Sequence, residues 1–290
     1  MRSERPATLG FATIGMPWVA GVVLLVGVPL ALSIGLSAVS WDGIGDARFV
    51  GFGNYRRVLQ DPDFAHALVS TCVVVGLGVI VRLALVAGLG ILLAYRSVAS
   101  AAARAAVFAP SVVPDAAYAL VWLWLLNPLE GPLAVAASSF GAESLPWLVS
   151  PGSARVTLAV VTALQVGEGF VLVLAARRAL PTSVYEAASL DGASPWFSLR
   201  HITLPLLAPL VALLAVRDLV VSLSTTVAPA QLLTDGGPDR ATTTIALYAY
   251  EEGFRYLRLG NAAAVGVLVL LVCASASAVA WRLTRRWVAS

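Results

Sequence analysis

The sequence predicts an all-α polytopic membrane protein with six transmembrane helices. Three observations predict it. Charged residues make up 12% of the 290 residues, about half the share in a soluble domain. Hydrophobic residues make up 59%. They gather into six runs, near 11–37, 68–95, 105–126, 155–176, 204–228 and 261–283. Each run is long enough, at about 20 residues, to cross a hydrocarbon core of roughly 30 Å. No segment between them has room for a separate soluble domain, so residues 1–290 read as one transmembrane domain.

The first run follows Arg2 and Arg5, and Ser37-Ala38-Val39 has the small residues of a signal cleavage site. A signal core spans about 7–15 residues, however, and Phe11 to Leu36 is far longer, so a retained helix is expected. The chain has no Lys; every basic side chain is Arg. It therefore lacks the lysine of a phosphate-cradling P-loop and that of a Schiff-base enzyme. If ATP drives its work, another chain must bind the nucleotide. The arginines sit at helix ends rather than in one patch, which argues against nucleic acid as a partner. Cys72 and Cys273 fall inside apolar runs, where a structural disulfide is not expected. The two histidines, His66 and His201, are far apart and outside the runs. Neither a zinc-protease helix signature nor a nucleophile elbow is present, so no catalytic or metal-binding set is expected.

Orientation follows from the arginines. Arg2 and Arg5, Arg96 and Arg104, Arg177, Arg178 and Arg200, and Arg282, Arg285 and Arg286 mark one side. The opposite loops hold fewer basic residues for their length, with Asp42, Asp61, Asp235 and Glu251 alongside. The positive-inside rule then places both termini in the cytoplasm. The external loops VGFGNYRRVLQDPDF (50–64), NPLEGPL (127–133) and LLTDGGPDRATTT (232–244) carry the Gly and Pro of turns. Trp122, Trp124, Trp147 and Trp287 lie near span ends and read as interfacial anchors.

The cytoplasmic stretch 181–205 is dense in helix signals. Pro181 stops the preceding span. Ser183 stands three residues before Glu186, the spacing of a capping box, and apolar Ala187, Ala188 and Leu190 follow. Gly192 ends this short helix. Ser194-Pro195 starts a second one, with an apolar face of Trp196, Phe197 and Leu199, and Leu204-Pro205 begins the next span. On local chemistry the element is either an amphipathic loop packed on its own helices or a rigid elbow that docks into a soluble partner.

Glu186-Ala187-Ala188, then Gly192 after three residues, Ile202 after nine more, and Leu204-Pro205 together resemble the EAA motif of ABC-importer permeases. Asp191-Gly192-Ala193 is similar to the centre of that motif in the carbohydrate-uptake subgroup, which handles maltose, trehalose or glycerol phosphate. Residues 232–264, VGFGNY (50–55) and Asn127-Pro128 with Gly131 resemble further parts of the same subgroup, so the likeness covers nearly the whole chain. The resemblance implies a permease subunit of an ATP-driven importer for a sugar or sugar derivative, in a bacterial cell membrane. Its implied partners are a second homologous permease, two ATPase subunits that bind ATP and magnesium, an extracytoplasmic solute-binding protein and membrane lipid. Residues 182–205 would be the coupling segment, with Glu186, Ala187, Ala188, Asp191 and Gly192 contacting the ATPase. Ala163 and Val227-Ala228 depart from the family pattern and imply either a substrate pocket of different form or one that lies mainly in the partner permease.

Polar groups within spans usually face a cavity or the interior. Arg82, Gln165, Glu168, Arg217, Asp218, Ser222, Ser224, Thr225 and Thr226 are of this kind. Gln165 and Glu168, three apart, are expected on one helix face beside Gly167 and Gly169. Such groups match sugar hydroxyls, which both donate and accept. Gln165, Glu168, Arg217, Asp218, Ser222 and Thr225 are thus candidates for the substrate pathway. In the competing reading Glu168 pairs with Arg82 or Arg217 to hold the helices together. The alternative function is a proton-coupled secondary transporter using Glu168 or Asp218, although the repeat symmetry expected of one is not visible.

Overall fold

The structure, a computed structural model, describes residues 7–95, 97–141 and 146–288, with the backbone alone for 7–14 and 283–288. Arg2, Arg5 and Arg96 lie outside the described residues, and the side chains of Arg285, Arg286 and Trp287 are not described. The described residues are mostly helical, as the composition and the apolar runs predict. Four helices are long and apolar enough to cross a membrane, and six spans result if each of two bent pairs is one crossing.

The chain forms two compact units. One comprises the residues up to Asp61 together with Ala249–Leu270; the other comprises Pro62–Tyr248 and the residues from Leu271 onward. In the first unit, α1 is the apolar helix Gly15–Ser37, with a π turn at Val23–Gly27. A two-stranded antiparallel ribbon follows, β1 (Val39–Ser40) pairing with β2 (Arg48–Phe49). The Asp42 carboxylate accepts from the amides of Gly45 and Ile44 at 2.8 and 3.1 Å. These bonds favour the charged form and hold its pKa below the usual carboxylate value. Helix α2, Gly53–Gln60, buries Asn54, whose amide donates to the carbonyls of Ser37 and Val39. Neither the ribbon nor α2 was legible in the loop sequence.

The second unit is built on α3, Pro62–Leu92. The third apolar run is not a straight crossing but a bent pair, α4 (Val98–Val112) and α5 (Asp115–Leu125), turned by 106°. Pro114 lies between them with an extended backbone, and a proline there disfavours a helical residue before it. After α6, Pro132–Ser139, the fourth run is also broken, into α7 (Pro151–Ala163) and α8 (Gly167–Ala179) at 51°. Helix α3 packs against both halves of that pair. Two apolar cores result: one around Val74, Leu158 and Leu247, the other around Val86, Phe170 and Leu207.

Helix α9, Thr182–Leu190, precedes α10, Pro195–Thr225, and α11, Val227–Thr234, continues the fold. The expected second short helix is absent as a separate element, because Pro195 opens a continuous helix that becomes the fifth span. A π turn at Leu199–Thr203 accommodates Pro205: Leu204 N–H reaches Leu199 O instead of closing the ordinary α bond. A ring at Pro205 clashes with an α-helical carbonyl four residues back, and a locally widened turn relieves it. The loop after α11 is largely packed into the fold, with Thr242, Thr243 and Thr244 almost fully covered. Helices α12 (Ile245–Tyr250) and α13 (Leu259–Val288) complete the chain.

Candidate functional site: a glycine elbow and a charged cleft

The elbow begins at Pro181, which precedes α9 without any side-chain cap. The expected Ser183–Glu186 capping box does not form, because the helix starts one residue earlier, at Thr182, and Ser183 already lies within it. At the other end the sequence reading holds. Gly192 has φ +76°, and Ala193 N–H and Gly192 N–H bond to the carbonyls of Ala188 and Ser189 at 2.9 and 3.1 Å. This bond pair is the Schellman arrangement that glycine favours at a helix end. Ser194 Oγ then accepts from Phe197 N–H at 3.2 Å and caps α10.

Glu186, Ala187, Asp191 and Gly192 are exposed, and Ala188 is half-buried. Beside them, Leu190 is 89% and Trp196 68% exposed. Phe197 stacks on His201 with ring centroids 4.2 Å apart. Tyr185 ties the elbow to its surroundings. Its hydroxyl is 2.9 Å from Thr203 Oγ1, in the π turn, and its ring carries the Arg177 guanidinium at 4.4 Å from the centroid. Arg178 donates to Ala94 O.

The second feature is a cleft of about 200 Å³ between the two bent pairs and α10. It gathers Gln165, Glu168, Arg217, Asp218 and Thr225 from the sequence candidates. Ser222 joins through Arg82, whose Nη1 donates to it at 3.2 Å. The same Nη1 reaches Asp218 Oδ1 at 2.7 Å, in a pair that is nearly buried. Arg82 Nη2 donates to Thr162 O, at the end of α7. The neighbouring Arg217 pairs instead with Glu168, and this second ion pair is open, with the two side chains 44% and 68% exposed. Glu168 therefore pairs with Arg217, as the competing reading allowed, and Arg82 takes Asp218.

Gln165 and Glu168 do not share a helix face. Gln165 lies in the break between α7 and α8, and Glu168 in the first turn of α8. They meet at the cleft through the bend. Gly167 N–H donates to Ser111 Oγ at 2.7 Å, which joins the two breaks. A Cβ at Gly167 would overlap the Ser111 side chain, so the close approach requires glycine. Thr225 Oγ1 bonds its own helix at Val221 O, and Thr226 is buried against Thr244.

The sequence reading missed two cleft residues, Ser111 and Asp115. Asp115 Oδ1 accepts from Gln165 Nε2 at 3.3 Å. A carboxylate in the middle of the apolar run 105–126 was the signal that pointed to it. In the first unit, a separate cavity of about 380 Å³ is lined by Trp41, Arg48, Asn54, Arg57 and Arg258.

Residues 86–288 match the family described as "Binding-protein-dependent transport system inner membrane component". The sn-glycerol-3-phosphate transport system permease protein UgpA of Yersinia pestis is 30% identical over 287 residues, 97% of this chain and 92% of that protein. The "Probable ABC transporter permease protein YesP" of Bacillus subtilis (strain 168) is 27% identical, over 99% of this chain and 94% of its own length. A chain of the crystal structure of a bacterial alginate ABC transporter, in complex with its alginate pentasaccharide-bound periplasmic protein, superposes with a TM-score of 0.82. Its identity is 22%, over 97% of this chain and 95% of that one, so this likeness bears on the fold.

Proposed function

The chain belongs to the binding-protein-dependent transport system inner membrane components, and from that premise we propose that it is the permease subunit of an ATP-driven importer for a sugar or sugar derivative. As a member of this family it is a multi-pass membrane permease and not an enzyme. One observation supports the finer reading most: an uninterrupted helix, Pro195–Thr225, joins the exposed elbow to the charged cleft. Arg217, Asp218, Ser222 and Thr225 sit towards one end of it and Pro195 at the other. A displacement at the elbow is thereby carried to the cleft by a stiff element.

In this reading Glu186, Ala187, Ala188, Asp191 and Gly192 meet the ATPase, which holds ATP and its magnesium. Gln165, Glu168, Arg217, Asp218, Ser222 and Thr225 line this chain's part of the substrate path. A second homologous permease supplies the other part, a solute-binding protein delivers the substrate, and residues 1–290 act as one domain with both termini in the cytoplasm. Charged side chains that are exposed yet at span depth support a wet pathway, because hydrocarbon does not tolerate them. Family membership gives the proton-coupled alternative no support.

The test is reconstitution in proteoliposomes with the companion permease, ATPase and binding protein. Uptake is expected to require both ATP and the binding protein, and the purified chain alone to hydrolyse no ATP. Uptake driven by an imposed proton gradient without the ATPase would sink the proposal.

A further inference from the structure

Five charged side chains line the cleft: Arg82, Asp115, Glu168, Arg217 and Asp218. Four of them cancel in pairs, Arg82 with Asp218 and Arg217 with Glu168. Asp115 is the remainder. Among the described residues its side chain has one partner, the neutral amide of Gln165. It is exposed at the 106° break where α5 begins. The start of α5 offers it only a fractional positive charge, which does not cancel a full carboxylate charge. This wall of the pathway therefore carries one uncompensated negative charge, placed where hydrocarbon cannot cover it.

We propose that Asp115 and Gln165 form a specificity pair that takes hydroxyl or ammonium donors, so that the permease passes neutral polyhydroxyl compounds and amino sugars and disfavours sugar phosphates and uronates. An ionised carboxylate only accepts hydrogen bonds, and every sugar hydroxyl offers one. Gln165 adds an amide that donates and accepts. A phosphate or uronate meets the opposite situation. Both arginines of the cleft already face carboxylates, and the remaining negative charge repels the anion. Rejection by a like charge is a common source of specificity. The glycerol phosphate and alginate in the names of similar proteins are anionic, so the proposed cargo differs from them in charge.

The inference rests on the permease reading, and its test separates the two. The cognate binding protein is titrated calorimetrically with trehalose, glucosamine, glucuronate and glycerol 3-phosphate. Binding of trehalose or glucosamine at least tenfold tighter than of either anion is expected, and preference for an anion overturns the proposal. Uptake of the preferred probe is then measured in the complete complex. Asp115→Asn is expected to lower uptake per ATP hydrolysed at least tenfold and to reduce discrimination against the anionic probes, while Asp115→Glu restores part of both. Unchanged uptake and selectivity in Asp115→Asn overturns the proposal. So does failure of that variant to assemble, because Asp115 would then be a contact between subunits. ATP-dependent uptake by the unaltered complex keeps the permease reading intact under any of these outcomes.

Discussion

Arg82 and Arg217 line one cleft, yet losing the partner of each has different consequences. Asp218 is 6% exposed, and both Arg82 Nε and Asp218 Oδ2 are buried without a hydrogen-bond partner among the described residues. Removing one member of a buried pair strands the other charge and costs about 3–5 kcal/mol. The open Glu168–Arg217 pair is worth about 0–1 kcal/mol, as solvent-exposed pairs are. Asp218→Asn is therefore expected to lower the unfolding midpoint and the yield of the detergent-purified complex. Glu168→Gln should leave both nearly unchanged and reduce substrate uptake. Thermal unfolding and uptake measured on the same preparations check the contrast, and equal destabilisation by both variants would contradict it. The candidates themselves were legible, because ionisable groups are rare in apolar runs. Their pairing was not. Residues 217 and 218 follow each other in sequence but lie about 100° apart around a helix with 3.6 residues per turn, and only the packing of α3 and α8 against α10 decides which partner each meets.

At the level of the element, the elbow shows which sequence signals are self-sufficient. Gly192 and Ser194-Pro195 act within a few residues of backbone, and both positions behave as read. The Ser183–Glu186 spacing also described a local motif, but Pro181 set the helix start and displaced it. The separate second helix failed for a longer-range reason: Pro205 was tolerated by a π turn instead of ending the helix. A side chain at Gly192 would have nothing within 4 Å to strike in this chain. The cost of replacing it is therefore conformational, about 1–2 kcal/mol for a left-handed residue, and greater for a β-branched one. Gly192→Val is expected to leave insertion of the spans intact while weakening co-purification of the ATPase or the coupling of hydrolysis to uptake. Wild-type values of both would remove the elbow from the coupling path.

For the whole molecule, the number of crossings and the proposed orientation come from different parts of the sequence. Hydropathy gave six apolar runs, and the structure retains all of them as four helices and two bent pairs. The bends were not legible, because breaking a span at membrane depth depends on neighbours that re-satisfy its backbone. Orientation rests on arginine counts and is checked by fusions. A phosphatase that folds only outside the cytoplasm is expected to be active after Gln60 and inactive after Ala94 or at the C-terminus. Activity at the C-terminus would invert the assignment. The bends also bear on how the protein is made. At 1.5 Å per residue, Val98–Val112 and Asp115–Leu125 reach only about 22 and 17 Å, against a hydrocarbon core of about 30 Å. Neither half is a stop signal that the ribosome-bound channel can release into lipid by itself, and a central acid raises the cost of release further. The nascent chain must then hold this stretch until α7 and α8 emerge to pack beside it. Biosynthesis of the third crossing is thus completed only with the fourth.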